Sequence, residues 1–142
     1  MDEAQRQAQA MVGLLSQHAL RVLDTHALAL RQIDYRIEGL DWQAITISRE
    51  IHDYLLSLSR DLRTPNALFV TDPTGRLRAT NEAFPAPDLD LSDREYFDAQ
   101  RKRDAGVFFS TPYERRIGDR SWAFAVSLRR SAGSGSFNGT IH

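Results

Sequence analysis

The sequence predicts an α+β fold, in which a long N-terminal helix packs on an antiparallel sheet of about five strands. Three observations support this class. Over roughly the first 60 residues, apolar side chains recur at spacings of three and four without a proline. After Pro65 the apolar period shortens to two, and Asp-Pro-Thr-Gly separates two short apolar runs. From Trp122 to Leu128 large and small residues alternate, as in a strand.

The N-terminal helical segment is predicted to cover residues 1–62. It contains a long helix over 3–38 and a second helix over 41–61. Gly39 suits the left-handed C-terminal cap of the first helix, and Asp41 suits the N-cap of the second.

The first helix is too long to pack on this domain along its whole length. About 35 residues make a helix about 50 Å long, longer than a domain of this size is wide. The helix must therefore project beyond the core or pair with a second copy. Its apolar seam through Ala8, Met11 and Leu15 favours a dimer stalk as much as packing on its own domain.

Residues 63–142 are predicted to form the sheet, beginning with a hairpin. Residues 67–70 form a short apolar strand, Asp72–Gly75 suits a type I turn, and residues 76–80 alternate as the returning strand. Further strands are predicted over 107–110, 122–128 and 137–141, with turns at 117–120 and 131–136, and we expect the chain to stop inside the last strand.

The 122–128 strand has two different faces. Trp122, Phe124, Val126 and Leu128 are expected to face the core against a helix. The opposite face carries the small residues Ser121, Ala123, Ala125 and Ser127, which leave room for a bound molecule.

A short helix is predicted to begin at Ser92 and to run to about Arg101. Ser92 and Glu95 have the spacing of a capping box. Arg94 would then lie beside Tyr96 at a helix N-terminus, which is a suitable place to hold a carboxylate. The alternative is that Arg94 is a surface charge and that Tyr96 and Phe97 belong to the core.

Composition and motifs give little support to other classes of function. The chain has 142 residues, a net charge of −1 and no cysteine, which argues against nucleic-acid binding and excludes thiolate chemistry. There is no nucleophile-elbow pattern and no phosphate-binding glycine loop. His18 and His26 are eight residues apart, too far to share a metal as an i, i+4 pair does. We therefore expect no enzyme activity, no metal and no cofactor.

Five motifs in order resemble a known family. They are a strand ending in Asp-x-x-Gly (70–75), Asp-Arg-x-Tyr-Phe (93–97), Pro-Tyr (112–113), Ser-x-Arg-Arg (127–130) and Gly-x-Phe-x-Gly (135–139). Together they resemble the extracytoplasmic PAS-like sensor domains of bacterial signalling receptors, also called PDC or Cache domains. The resemblance covers nearly the whole chain.

The resemblance implies a periplasmic, ligand-sensing input domain of an inner-membrane receptor. In the family, the long helix leaves a first membrane span, a second span follows the domain, and the sheet carries a small-molecule pocket. The output is usually a histidine kinase of a two-component system, a diguanylate cyclase or a chemoreceptor. The partners implied are a small carboxylate or amino acid and a second copy bound through the N-terminal helix.

The resemblance also implies a set of ligand-binding residues. Amino-acid-binding members have Arg-x-Trp, a tyrosine about sixteen residues later, and an aspartate after the last strand that would hold the ammonium group. Arg94 and Tyr96 match the first part, Tyr113 matches the second, and the aspartate has no counterpart. We predict ligand contacts from Arg94, Tyr96, Ser110, Tyr113 and Ser127, with Arg94 holding a carboxylate. The alternative is a dimerisation or interaction domain whose pocket is filled by side chains.

Overall fold

The structure, a computed structural model, describes residues 2–62, 67–116, 120–131 and 135–142. Its helices are α1 (Glu3–Ile37), α2 (Trp42–Ile47), α3 (Arg49–Asp61) and α4 (Glu95–Lys102). Its strands are β1 (Phe69–Thr71), β2 (Leu77–Thr80), β3 (Phe108–Phe109), β4 (Tyr113–Glu114), β5 (Trp122–Ala123), β6 (Val126–Ser131) and β7 (Phe137–Ile141). Within these residues, no helix has both the length and the apolar character of a membrane span.

The predicted α+β architecture is confirmed. Five strands form one antiparallel sheet in the order β2-β1-β7-β6-β3, and β4 pairs with β5 in a separate two-stranded ribbon. The last strand, β7, therefore lies at the centre of the sheet, between β1 and β6. Residues that are 60 or more positions apart in the chain become neighbours there, such as Val70 and Ile141.

The period-two alternation of the strands divides the interior into two cores. Along β1 and the residue before it, Leu68 and Val70 pack with α1 and α3, whereas Phe69 packs with α4. The first core contains Leu30, Ile33, Ile37, Ile45, Ile51, Leu55, Leu68, Val70, Ala79 and Ile141. The second contains Phe69, Leu77, Leu91, Tyr96, Phe97 and Ala125.

Helix α1 has the predicted length, and only its C-terminal part packs on the sheet. Asp2 and Gln5 form a capping box at its start, in which the Asp2 carboxylate accepts from the Gln5 amide at 2.8 Å. Every described residue up to Val22 is exposed, and the first buried residue is Ala27. The helix thus projects beyond the core, as its length requires.

The second predicted helix is interrupted, so its prediction as one element is wrong. Helix α2 ends at Ile47, and Ser48 has extended backbone with φ −83° and ψ 108°. The Ser48 hydroxyl then accepts from the Ile51 amide at 3.1 Å and caps α3. A serine side chain competes with the helix for backbone hydrogen bonds, and here it starts a new helix instead of continuing the old one.

The predicted capping box at Ser92 is also wrong. Helix α4 begins at Glu95, after Arg94 as an N-cap residue without a side-chain hydrogen bond. The Ser92 amide donates to the Asp90 carboxylate at 2.9 Å. The Glu95 carboxylate instead accepts from the amide and the hydroxyl of Thr111, at 3.2 and 2.7 Å. Glu95 therefore ties α4 to the segment after β3, a contact that the local spacing does not show.

The predicted strand over 122–128 divides into β5 and β6. Trp122 and Phe124 are 72% and 59% exposed, so the expectation that they face the core is wrong, whereas Val126 and Leu128 do pack against the first core. Residues 122–123 pair with β4 in the separate ribbon, and the chain joins the main sheet only at Val126. The predicted turns at 117–120 and 131–136 lie largely outside the described residues.

The predicted hairpin between β1 and β2 is confirmed, and Asp72 organises it. One oxygen of its buried carboxylate accepts from the amide and hydroxyl of Thr74 and the amide of Arg76, at 2.9, 2.6 and 3.1 Å. The other accepts from Arg78 Nε at 2.7 Å. Burial raises the pKa of Asp72, but these hydrogen bonds outweigh burial and hold the pKa below its usual range.

We expect Asp72→Ala to lower the free energy of unfolding by about 2 kcal/mol, because hydrogen bonds to a charged group contribute roughly 1.5–3 kcal/mol. The folded-state pKa of Asp72 is depressed, so this contribution is present above the unfolded pKa and lost as pH falls through the folded one. Urea unfolding at pH 7 and in acid should show the difference shrinking in acid. Asp88→Ala, which removes an exposed ion pair with Arg76, should change stability little at either pH.

A second prediction concerns Gly139 in the central strand. Its φ is +103°, and a Cβ there would overlap the carbonyl oxygen of Thr71 and lie 2.8 Å from Trp42 Cζ2. Gly139→Ala should therefore lower the free energy of unfolding by about 3 kcal/mol or more. Gly13→Ala, in the open part of α1, is the matched control and should be neutral or stabilising. Equal stability of the two variants would show that β7 does not pass this close to Thr71.

Candidate functional site

A cavity of about 430 Å³ opens between α1, the end of the main sheet and the β4–β5 ribbon. We call it the aromatic cavity. Its volume lies in the range of small-molecule sites, which run from about 300 to 1,000 Å³. Its lining residues are Val22, Leu23, His26, Leu30, Ala67, Leu68, Phe69, Tyr96, Tyr113, Arg115, Arg116, Ser121, Trp122, Ala123, Phe124, Ala125, Val126 and His142.

Four rings from four different elements form one wall of the cavity. Phe69 and His142 are stacked with centroids 4.5 Å apart, and Tyr96 meets His142 edge-on at 4.6 Å. The ring of Tyr113 lies 5.2 Å from that of Tyr96. Strands β1 and β4, helix α4 and the residue after β7 supply these rings. Two phenols and an imidazole thus place polar atoms in an apolar wall, which suits a guest that is partly polar.

The polar groups of this wall are uncharged at neutral pH. Burial raises the pKa of Tyr96 and of Tyr113, so both phenols stay protonated. Burial lowers the pKa of His142 to about 3, so its imidazole is neutral. His142 Nε2 is hydrogen-bonded to the hydroxyl of Thr140, which is in turn hydrogen-bonded to the hydroxyl of Thr71.

Two arginines line the cavity, and each is paired with an acid. Arg116 donates from Nη1 and Nη2 to the two carboxylate oxygens of Asp93, both at 2.7 Å. These hydrogen bonds lower the pKa of Asp93 to about 2 and raise the pKa of Arg116. Arg115 forms an ion pair with Glu82. Both guanidinium charges at the cavity are therefore balanced by acids, although none of the cavity's described lining residues is itself an aspartate or a glutamate.

Of the five predicted ligand-binding residues, the structure brings Tyr96 and Tyr113 to the cavity wall. Arg94 lies behind Tyr113. Its guanidinium carbon is 5.0 Å from the centroid of that ring, and Nη2 donates to the carbonyl of Glu114 at 2.8 Å. Arg94 Nε is buried and has no hydrogen-bond partner among the described residues. In this position Arg94 fixes β4 and the Tyr113 ring against the start of α4.

The two predicted serines lie in the framework around the cavity. The Ser110 hydroxyl accepts from the Ala125 amide at 2.8 Å and donates to the Thr111 carbonyl at 2.9 Å. Ser127 is fully buried, and its hydroxyl donates to the carbonyl of Tyr96 at 3.1 Å. Both hydroxyls therefore hold residues that line the cavity. Ligand contact by the five residues stays a prediction.

Sequence reasoning missed His142 and the arginine pair after β4. His142 follows the last strand, where the amino-acid-binding pattern expects an aspartate. Its position in the chain could have marked it as a cavity residue, but its residue type could not. Arg115 and Arg116 follow Tyr113 directly, but their place at the cavity depends on ion pairs with Glu82 and Asp93. No local pattern encodes those pairs.

Comparison with known proteins gives matches in structure alone. No family model and no curated protein matches the sequence. The extracellular domain of rpHK1S-Z16, a protein assigned as a histidine kinase, aligns over 97% of this chain with 25% identity and a TM-score of 0.80. The sensor domain of the V. cholerae histidine kinase DctB aligns over 96% with 17% identity and a TM-score of 0.59.

A third similar structure is the ligand-binding domain of the Campylobacter jejuni chemoreceptor Tlp3 in complex with L-valine. It aligns over 99% of this chain with 14% identity and a TM-score of 0.59. The chain spans 56%, 53% and 62% of the lengths of the rpHK1S-Z16, DctB and Tlp3 domains. These similarities confirm the resemblance to extracytoplasmic PAS-like sensor domains of the PDC or Cache type.

Proposed function

We propose that this chain is the ligand-sensing input domain of a membrane-bound bacterial receptor, with a histidine kinase as its output, and that it is not itself an enzyme. The observation that carries the proposal is the aromatic cavity, which combines apolar walls with a few convergent polar groups. The similarity to extracellular sensor domains supports a periplasmic location. The membrane spans of such a receptor would lie outside this chain.

The ligand in this proposal is a small molecule that carries a carboxylate. The apolar walls from Leu23, Phe69 and Phe124 would cover its body, and the hydroxyls of Tyr96 and Tyr113 would donate hydrogen bonds to it. Arg115 and Arg116 line the cavity as ion pairs with Glu82 and Asp93, and a carboxylate would bind beside them as a further hydrogen-bond acceptor. Arg94 would not contact the ligand directly but would position the ring of Tyr113, which does.

A thermal-shift screen of the purified chain against small carboxylates and amino acids tests this function. A ligand present at about 100 times its Kd stabilises the folded state by about 2.7 kcal/mol, which raises Tm by several degrees. We expect a carboxylate among the hits. A chain that no member of the panel stabilises would favour the alternative, a domain whose role is interaction alone.

With a hit from that screen, Arg94→Ala should weaken binding by about tenfold, because the lost cation–π contact leaves the Tyr113 ring unsupported. Isothermal titration calorimetry measures this change. Arg101→Ala is the matched control, since Arg101 lies in the last turn of α4, which Arg94 precedes, and its half-exposed side chain pairs with Asp98. Equal affinities of the Arg94 variant and the parent would remove the positioning role from Arg94.

A second role, self-association through α1, is favoured by one observation. The projecting part of the helix exposes five large apolar side chains that pack on nothing in the described chain, namely Met11, Val12, Leu14, Leu15 and Leu20. A parallel pair of such helices would bury this surface, as in a dimer stalk. Sensing and dimerisation are compatible, because the cavity lies near the other half of the helix.

Sedimentation velocity at rising concentration tests the stalk. The parent should move towards a dimer, and Leu15→Asp should shift the equilibrium to the monomer because a buried, unpaired charge opposes pairing. Gln17→Asp adds the same charge about half a helical turn away from the Met11–Leu15 seam and should leave dimerisation largely intact. A parent that stays monomeric at all concentrations would contradict this role for the isolated chain.

A further inference from the structure

Two aromatic side chains that line the aromatic cavity are also largely exposed to solvent. Trp122 is 72% exposed and Phe124 is 59% exposed, although both belong to the cavity lining. Exposed apolar surface that adjoins a cavity is typical of a binding site. The packing of the described chain leaves more than half of each side chain in water, so it does not explain why large rings lie there. A molecule bound in the cavity would cover part of their surface.

We propose that the aromatic cavity selects ligands with a flat aromatic body, and that Trp122 and Phe124 determine this selectivity. The inference rests on the proposed sensing function and narrows its ligand class from small carboxylates in general to aromatic carboxylates. The motifs of the chain do not distinguish these two classes, because they concern the carboxylate and not the body of the ligand.

The polar groups of the cavity leave the choice of ligand to the apolar contacts. Both lining arginines, Arg115 and Arg116, are already paired with acids. Burial raises the pKa of Tyr96 and of Tyr113, so both phenols are uncharged. Neither the arginines nor the phenols therefore offer a carboxylate an unbalanced positive charge. The body of the ligand must supply most of the binding free energy, and its shape and aromatic character then decide which acids bind.

The buried wall of the cavity favours a planar guest. The ring planes of Phe69 and His142 are stacked at 20°, whereas Tyr96 meets Phe69 at 71° and His142 at 67°. Stacked and edge-to-face contacts between aromatic rings contribute more than the area that they bury. An aromatic guest can extend this packing pattern. A saturated ring of similar size offers a similar apolar area but lacks the charge distribution on which these contacts depend.

Small side chains leave room for such a guest. Ala67, Ala123 and Ala125 line the cavity together with the rings. The position of Ala125 is fixed, because its amide donates to the Ser110 hydroxyl at 2.8 Å and its carbonyl accepts from the Ser110 amide at 2.9 Å. A dry cavity of about 150 Å³ is enough to hold benzene. The volume of about 430 Å³ therefore accommodates an aromatic ring together with a short acidic side chain.

Pairs of acids that differ only in the saturation of the ring test the selectivity. The pairs are benzoate and cyclohexanecarboxylate, phenylacetate and cyclohexylacetate, and 3-phenylpropanoate and 3-cyclohexylpropanoate. Both members of a pair carry the same carboxylate on the same linker, and the saturated member is the more hydrophobic, so hydrophobicity alone would favour it. We expect calorimetry to show at least one aromatic acid binding at least about fivefold more tightly than its saturated partner, which is the effect of one or two aromatic contacts.

The outcomes separate this inference from the function on which it rests. Saturated acids that bind as tightly as their aromatic partners, or more tightly, would overturn the selectivity and leave the sensing function in place. The same conclusion follows if none of these acids binds but the wider screen of carboxylates and amino acids yields a ligand. Failure of every compound in both sets to bind would overturn the sensing function and the inference together.

Substitutions of the exposed rings identify the residues that recognise the aromatic body. Trp122→Leu and Phe124→Leu each keep an apolar side chain but remove a ring, and both should fold because the rings are largely in solvent. Each variant should bind the preferred aromatic acid about threefold or more weakly and bind its saturated partner almost as the parent does. Phe109→Leu is the matched control, because Phe109 is a 46% exposed ring outside the described cavity lining.

The preference within a pair is the quantity that decides. It should fall in the Trp122 and Phe124 variants and stay at the parent's value in Phe109→Leu, with folding of all three checked by circular dichroism. Folded Trp122→Leu and Phe124→Leu proteins that both keep the parent's preference would show that the two exposed rings do not determine the selectivity. An equal loss of affinity for both members of a pair would show that they contribute apolar area alone, which would also overturn their role.

Discussion

The insertion of β7 between β1 and β6 is the constraint on which the rest of this structure depends. Strand β7 joins the β1–β2 hairpin to the β6–β3 pair. Just after β7, the amide and the carbonyl of His142 both form hydrogen bonds with Phe69, at 2.8 Å. Gly139 makes this close approach possible next to Thr71 and Trp42. Without β7, β1 and β6 would each present an unpaired edge, and neither core would be closed. The same strand carries His142 to the wall of the cavity.

The sheet is coupled to the long helix by one buried cation. Arg130 on β6 donates from Nη2 to the carbonyls of Ile37 and Leu40 at 3.0 and 2.8 Å, and its guanidinium lies 4.6 Å from the Trp42 ring. Carbonyls at a helix C-terminus lack partners within the helix and carry partial negative charge, so they suit a guanidinium. The end of α1 is thereby held to a strand that begins at the cavity.

The cavity and the projecting helix share a single rigid element. Val22, Leu23, His26 and Leu30 of α1 line the cavity, and the same helix continues for five turns beyond the core. A molecule bound in the cavity would touch α1 directly, where the exposed apolar surface begins. The proposed sensing and the proposed self-association would therefore act through the same helix.

The sequence by itself determined the elements whose signals are local. The 3.6-residue period specified α1 and the Asp-x-x-Gly turn specified the first hairpin, because each depends on neighbours within a few positions. The family resemblance, rather than a local signal, pointed to Tyr96 and Tyr113, which both line the cavity. Tertiary structure decided the rest. The Glu95 carboxylate accepts from Thr111 instead of forming a capping box, and Trp122 is exposed in the ribbon instead of buried in the core. The guanidinium of Arg94 packs on the ring of Tyr113. His142 gained its place only through the pairing of β7 with β1, since hydrogen bonds between distant strands leave no local trace in a sequence.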